Sequence, residues 1–340
     1  MFSVYLPIAG MEFSALVLLT IGFAVGVLAG FFGIGGGWII TPSLHIFGLP
    51  VPFAIGTGLA NVAGQSAVAS AKHRQMGNVD HKLGVTVGLA MIAGVEGGKR
   101  CILALEAMGL ADSAVRVMYM LFLGGLGLFM LWEYIREMRR RAADNGRDCD
   151  EDGDDGSGTL LERVKAPPMI HCESLEAAIS VWPLIGIGVV VGFLAGVMGS
   201  GGGFALVPLF VFAVGVPTYV AVSTSLLCVT ISGAYGTFTY ALGGKVEIIA
   251  ALWILAGSAV GSQLGGSAVR YVRGYGIRLM YSLMLLVAAA SVLLKHLDLP
   301  GPAAVAVLGG AVGMCLLITG ALAVALLKAR FADGEEEDQD

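Results

Sequence analysis

Two long stretches of the chain carry no charge at all. Residues 13–71 and 177–244 contain no Asp, Glu, Lys or Arg. A helix needs about 20 apolar residues to cross a bilayer, so each stretch must fold back and hold more than one segment. The punctuation inside is glycine: Gly33, Gly35, Gly36 and Gly37 in the first, Gly199, Gly201, Gly202 and Gly203 in the second. Further apolar segments are predicted at about residues 83–99, 116–135, 247–269, 279–294 and 302–327, with a polar linker over 137–176 between the two sets. The pattern predicts an all-α polytopic membrane protein.

The two stretches are copies of each other. At an offset of 166, Leu28-Ala29-Gly30 returns as Leu194-Ala195-Gly196, Gly33–Gly37 as Gly199-Ser200-Gly201-Gly202-Gly203, and Pro42 as Pro208. After one inserted residue the offset is 167. Gly48-Leu49-Pro50 then matches Gly215-Val216-Pro217, Gly56-Thr57-Gly58 matches Ser223-Thr224-Ser225, and Gly77–Asp80 matches Gly244–Glu247. Glu96 falls on Gln263. An ordered series running from Leu28 to Glu96 with a single gap is an internal duplication. The chain divides accordingly: a first transmembrane repeat (1–136), a charged linker (137–176), a second repeat (177–296), an extra C-terminal transmembrane helix (297–328) and an acidic tail (329–340).

Composition agrees with the pattern. Of 340 residues 56% are hydrophobic and 13% charged, with a mean hydropathy of +0.83. A soluble domain carries about 25% charge, so this chain cannot cover a water-facing surface. Glycine, at 51 residues, is about twice its usual share. The overall charge of −5 belongs to the appendages. Residues 144–156 hold seven acids and 333–340 hold six, which leaves 19 Lys+Arg against 12 Asp+Glu elsewhere, a net +7. Such acid clusters are expected to stay solvated. No basic stretch precedes the first apolar segment, which is expected to remain in the membrane.

Whether the halves are parallel or inverted depends on the glycine break. If 15–48 is one interrupted span, each half crosses four times and the repeats are parallel. If 15–33 and 37–48 form a hairpin that enters and leaves on one side, the second half is inverted. Seven Lys+Arg place the linker on the cytoplasmic side. The inverted arrangement then puts 15 Lys+Arg inside and 5 outside, the parallel one 12 and 8. Inversion is therefore expected, with the N-terminus outside and the C-terminus inside. Lys99, Arg100 and Arg116 fall on the wrong side for this rule.

A chain break at membrane depth is tolerated only where it is buried in protein or lines a wet cavity. The residues after each break, from Trp38 and from Phe204, are expected to start short helices whose N–H groups point into the membrane interior. Such ends attract anions, and paired broken helices mark substrate sites in inverted-repeat transporters. The candidate site is therefore Gly33, Gly35, Gly36 and Gly37 with Gly199, Ser200, Gly201, Gly202 and Gly203. The competing account is close helix packing by small residues. Thr57, Asn61 and Gln65 follow at i, i+4 and i+8 on one helical face, and Ser223, Thr224, Ser225 and Cys228 in the second half. These neutral groups suit an oxyanion or serve as interhelical hydrogen bonds. Glu96, with Lys99 and Arg100 at i+3 and i+4, is a local salt bridge or a proton-coupling carboxylate. The five cysteines (Cys101, Cys149, Cys172, Cys228, Cys315) have no metal-binding spacing, so neither metal nor other cofactor is expected.

At Gly33–Gly37 with Pro42, and again at Gly199–Gly203 with Pro208, the sequence resembles the TauE/SafE family, sulfite-exporter-like proteins and organosulfonate permeases. The resemblance covers roughly 20–135 and 180–325. It implies a secondary transporter in the cytoplasmic membrane that moves small anions such as sulfite or sulfonates. The implied partners are that small anionic substrate, the lipid bilayer and a coupling ion (H+ or Na+), with self-association into a homo-oligomer left open and no nucleic acid. Other classes stay open too: a transporter or channel for a metal cation, and an intramembrane enzyme built on Ser200. The enzyme lacks a base to activate that serine.

Overall fold

The computed structural model describes residues 3–7, 10–46, 48–143, 169–171, 178–269, 274–297 and 299–337. The acidic run at 144–156, Cys149 and Cys172 lie outside them. A short antiparallel hairpin, β1 (Ser3–Leu6) and β2 (Met11–Ser14), precedes helices α1 (Ala15–Phe32), α2 (Gly37–Ile46), α3 (Val51–Gln75), α4 (His81–Ala107) and α5 (Ala111–Ala143). A second hairpin, β3 (Met169–His171) and β4 (Ala178–Ser180), precedes α6 (Val181–Met198), α7 (Gly203–Leu209) with the π-helical turn Phe210–Val214, α8 (Thr218–Leu242), α9 (Ile248–Ala268) and α10 (Gly274–His296). Helix α11 (Pro300–Glu337) closes the chain. The second hairpin follows the first at the same offset as the glycine motif, so Ser14 and Ser180 both cap the helix that leads to a break. Within the range 137–176, residues 137–143 continue α5 and Met169–His171 form β3.

Among the described residues, seven helices are long and apolar enough to cross a membrane. Helices α3 and α4 are longer than most of these, at 25 and 27 residues. Both carry more polar groups; on α3 most of these are buried, while α4 keeps a wide exposed face.

Glycine ladders set the helix pairing. On α1, Gly22, Gly26 and Gly30 lie against the backbone of Ile254, Ser258 and Ser262 on α9. Gly257, Gly261 and Gly265 of α9 lie in turn against Leu19, Phe23 and Val27. The contacts advance together along both chains, so α1 and α9 run parallel. Helices α6 and α4 pair in the same manner, with Gly188, Gly192 and Gly196 on Val87, Met91 and Val95. Each glycine recurs every fourth residue, which lets two backbones approach within the reach of dispersion forces where lipid offers no hydrophobic drive.

The remaining contacts fix the other directions. Gly236 of α8 meets Leu59 of α3, Gly233 meets Ala63, and Ser223 reaches His73, so α3 and α8 cross antiparallel. Asn61 bonds Ser258, and Gly266 sits on His73, which aligns α3 with α9. Gly84 meets Leu227 and Gly88 meets Ile231, which aligns α4 with α8. Helices α1, α3 and α9 therefore share one direction, and α4, α6 and α8 share the opposite one.

Because α1 and α3 are parallel, α2 has to double back between them. Ile40, Ser43 and Leu44 of α2 do line the same small cavity as Leu18 and Ile21 near the start of α1. Because α6 and α8 are parallel, α7 and its π-helical turn return likewise. Each glycine motif thus sits at the tip of a hairpin that enters the bundle and leaves on the side it came from. The ten residues of α2 would rise only about 15 Å, half a bilayer.

Candidate functional site: two helix breaks in contact

The breaks are built by glycines that no other residue could replace without strain. Gly33 ends α1 with φ 73°, its N–H bonded to Ala29 O at 2.9 Å; Gly199 ends α6 with φ 69° and the same bond to Ala195 O. These are left-handed helix stops, where a Cβ is penalised. The chain then restarts at once, with Ile39 and Ile40 donating to Gly36 O at 3.1 and 3.2 Å and Ala205 and Leu206 donating to Gly202 O at the same distances.

The two breaks touch. Gly37 packs on Gly199 and Ser200, and Gly203 packs on Ile34; a methyl group at either glycine would run into the opposite backbone. Around them the hydrogen bonding is lopsided. The carbonyls that α1 and α6 leave open at their C-terminal ends are met by side-chain donors. His73 Nε2 donates to Gly30 O at 3.1 Å and Ser225 Oγ to Gly33 O at 2.7 Å. Tyr240 donates to Gly196 O at 2.8 Å, Tyr119 to Met198 O at 2.5 Å, Thr41 to Gly199 O at 3.3 Å and Ser232 to Gly201 O at 3.1 Å. His73 and Tyr240, and the glycines they serve, stand at the offsets of the sequence pattern.

No such compensation reaches the amide side. Among the described residues, Ile34, Gly35 and Gly36, and likewise Ser200, Gly201 and Gly202, donate no backbone–backbone hydrogen bond. The partial negative charge of the helix C-termini is muted by hydroxyls and an imidazole, and the partial positive charge of the amides is not. The contact thus leaves unbonded amides beside bonded carbonyls.

Buried side chains without partners cluster at the same place. Both amide atoms of Gln65, Ser66 Oγ, Ser200 Oγ and Trp38 Nε1 are sequestered with no hydrogen-bond partner among the described residues. The Gln65 amide lies beside Gly36, and Ser66 beside Gly35. A buried polar group normally has a partner, and leaving one unmade costs about 1–3 kcal/mol. Several at one spot mark a place where a solute can supply the missing bonds.

The other sequence candidates are divided by the fold. Thr57 Oγ1 accepts from Glu247 N at 2.9 Å, and its mate Thr224 Oγ1 accepts from Asp80 N at 3.1 Å. This pair therefore ties the start of α9 to α3 and the start of α4 to α8. Asn61 donates to Ser258 Oγ at 3.1 Å, leaving its own Oδ1 without a partner. Ser223 bonds Tyr219 O and His73, and the Cys228 thiol meets Gly84 O at 3.2 Å. Of the row Thr57, Asn61, Gln65, Gln65 alone reaches a break. Trp38 Nε1, Ser66, Thr41 and His73 belong to the site's surroundings and were missed as side-chain groups. The residues at the matching offset, Phe204, Gly233, Val207 and Tyr240, are apolar, small or aromatic, so the sequence pattern gives no signal for them.

The family profile described as Sulfite exporter TauE/SafE matches residues 18–292, both hairpins and every helix between. The chain belongs to the TauE/SafE family. It is a multi-pass membrane transporter. A probable membrane transporter protein of Methanocaldococcus jannaschii is 28% identical over 241 residues, 68% of this chain and 75% of that one. The probable membrane transporter protein YunE of Bacillus subtilis is 25% identical over 281 residues (80% and 95%), and one from Haemophilus influenzae 24% over 304 (82% and 98%). No solved structure gives a significant match.

Glu96 of this TauE/SafE protein is held by neighbours on its own helix and by Tyr235. Lys99 reaches one of its oxygens at 2.9 Å and Arg100 the other at 2.8 Å, and the Tyr235 hydroxyl approaches at 3.4 Å. The geometry is that of a local i+3/i+4 ion cluster. The three cations expected to fall on the wrong side each have a carboxylate partner: Lys99 and Arg100 sit on Glu96, and Arg116 on Asp112.

Proposed function

We propose that this TauE/SafE protein is a secondary transporter of small anions, sulfite, organosulfonates or related sulfur oxyanions, working by alternating access in the cytoplasmic membrane with the linker and C-terminus on the cytoplasmic side. The observation that carries the reading is the meeting of two amide-rich breaks whose carbonyls are capped and whose neighbouring side chains lack partners. An oxyanion between the breaks would accept from the free amides, Gln65 Nε2, Ser66 and Ser200. Each hydrogen bond to a charged group contributes about 1.5–3 kcal/mol, and each helix end up to about 2. A few of these offset much of an anion's desolvation and still let it leave. Among the described residues no Lys or Arg is buried beside the breaks to trap it.

The contact between the breaks supports a closed conformation, and separation of one hairpin from the other would open the site to one side. The opposite directions of α1 and α6, and of α3 and α8, support two halves that work as an inverted pair, each hairpin gating one face. Nothing resembling a nucleotide-binding motif occurs in the sequence, so an ion gradient, H+ or Na+, is the proposed drive.

Gln65→Leu tests the reading in proteoliposomes with radiolabelled sulfite, with nickel and cobalt uptake run in parallel. The expected result is a rise in apparent KM for sulfite of about ten- to a hundredfold with no loss of thermal stability. Replacing an unpartnered buried amide by an apolar side chain of similar size is neutral or stabilising for the fold. Unchanged sulfite kinetics, or uptake of the metal ions and not of sulfite, would reject it.

A further inference from the structure

On the face of the bundle opposite the linker, the end of α2, the start of α5 and the end of α10 converge. A cavity of about 30 Å³ opens between them, lined among others by Thr41, His45, Asp112, Arg116, Tyr119 and Lys295. That is room for about two waters, the size range of a small oxyanion. None of these residues was drawn into the reading of the breaks except Thr41 and Tyr119, which donate to Gly199 O and Met198 O. Those two side chains make the cavity's inner wall, so the second break lies directly behind it.

The charges do not balance. Arg116 pairs with one oxygen of Asp112, and His45 Nε2 lies 2.5 Å from the other. The opposite ring nitrogen, Nδ1, is 3.1 Å from Leu49 O. Lys295 has no ion-pair partner among the described residues, and Arg116 Nε is buried without an acceptor. Lys295 and Arg116 then face one carboxylate, a surplus of one positive charge in a half-buried cavity where water screens poorly.

We propose that this cavity is a second anion-binding site, for a small oxyanion held by Lys295 and Arg116 with His45 oriented by Asp112, set in line with the breaks. Its role as an approach to the breaks rests on the transport reading above, whereas binding in the cavity rests only on the local charges. A site of this kind raises the local concentration of anions at the mouth and repels cations, as a low-dielectric cleft of one sign does.

The test reads the local potential and needs no transport. Val292 lines the same cavity one turn before Lys295. The Val292→Cys thiol is reacted with a sulfonate-bearing and with a trimethylammonium-bearing methanethiosulfonate, and labelling of the parent chain is subtracted. The expected result is modification about tenfold faster by the anionic reagent, slowed by sulfate, with that preference lost in Val292→Cys/Lys295→Met and kept with Lys295→Arg. As a second readout that needs no cysteine, sulfate is expected to raise the melting temperature of the unaltered chain and to do so less in Lys295→Met. Equal rates for the two reagents, or a preference and a sulfate shift that survive Lys295→Met, would overturn the proposal. Should sulfite uptake fail while the reagent preference holds, the transport reading falls and this site stands.

Discussion

Gly36→Leu and Gly202→Leu each reduce transport to the level of vesicles without protein. At Gly36 an added side chain meets Val25 and the Gln65 amide, so it fills the approach to the free N–H groups and displaces the one long polar side chain at the break. At Gly202 it meets Val191 and Met91, and the backbone there has φ 85°, which a leucine adopts only with strain. The two positions stand at the same offset on opposite hairpins, so a transporter that needs both breaks loses activity equally through either. Amounts of folded protein in the membrane are measured alongside by size-exclusion chromatography. Wild-type uptake by either variant, properly folded, would place the substrate elsewhere.

The second large effect is on stability. A valine at Gly26 or Gly261 is expected to destabilise the bundle by about 3 kcal/mol, the upper end of the usual overpacking cost, read as a lowered melting temperature in detergent. Gly26 rests on the Ser258 backbone and Gly261 on that of Phe23, in the middle of the α1–α9 contact. Backbone cannot rotate away as a side chain can, so the helices must part along several turns. Gly125→Val on α5, where an added Cβ meets nothing within 4 Å, is the control and is expected to change stability by less than about 0.5 kcal/mol. Equal effects at all three positions would show that the ladders do not hold the helices together.

The hairpins were legible in the sequence for a physical reason. Absence of charge from 13 to 71, with glycine clustered near its centre and Pro42 soon after, leaves few ways to satisfy the backbone inside a bilayer. The same glycines supported two accounts, close packing and a ligand site, and the structure uses glycine for both. Gly22, Gly26 and Gly30 pack, and Gly33 to Gly36 break the chain. The ladders escaped notice because each is complementary to a helix in the other half of the chain. Spacing of four on α1 has no meaning until α9 lies against it.

The site residues show the same division. Thr57 and Gln65 share a helical face, yet the hydroxyl is taken by the Glu247 amide and the side-chain amide is taken by nothing. Which polar groups are consumed by the fold depends on where α9 starts, and a row of neutral donors on one helix cannot report that. Ser225 is another case: its hydroxyl caps Gly33 O across the interface. His45 and Asp112 lie far apart in sequence, on α2 and α5. Their pairing, and the surplus charge on Lys295, exist only once α2 has turned back toward the start of α5.

Crystals of the protein grown with selenite, the heavier congener of sulfite, test the central claim most directly through the anomalous signal of selenium. The account predicts a peak between the two hairpin tips, within hydrogen-bonding distance of Gln65, Ser200 and the amides of Gly35, Gly36, Gly201 or Gly202. Selenium bound elsewhere in the bundle at saturating selenite, with both tips still packed together and no peak at them, would contradict it.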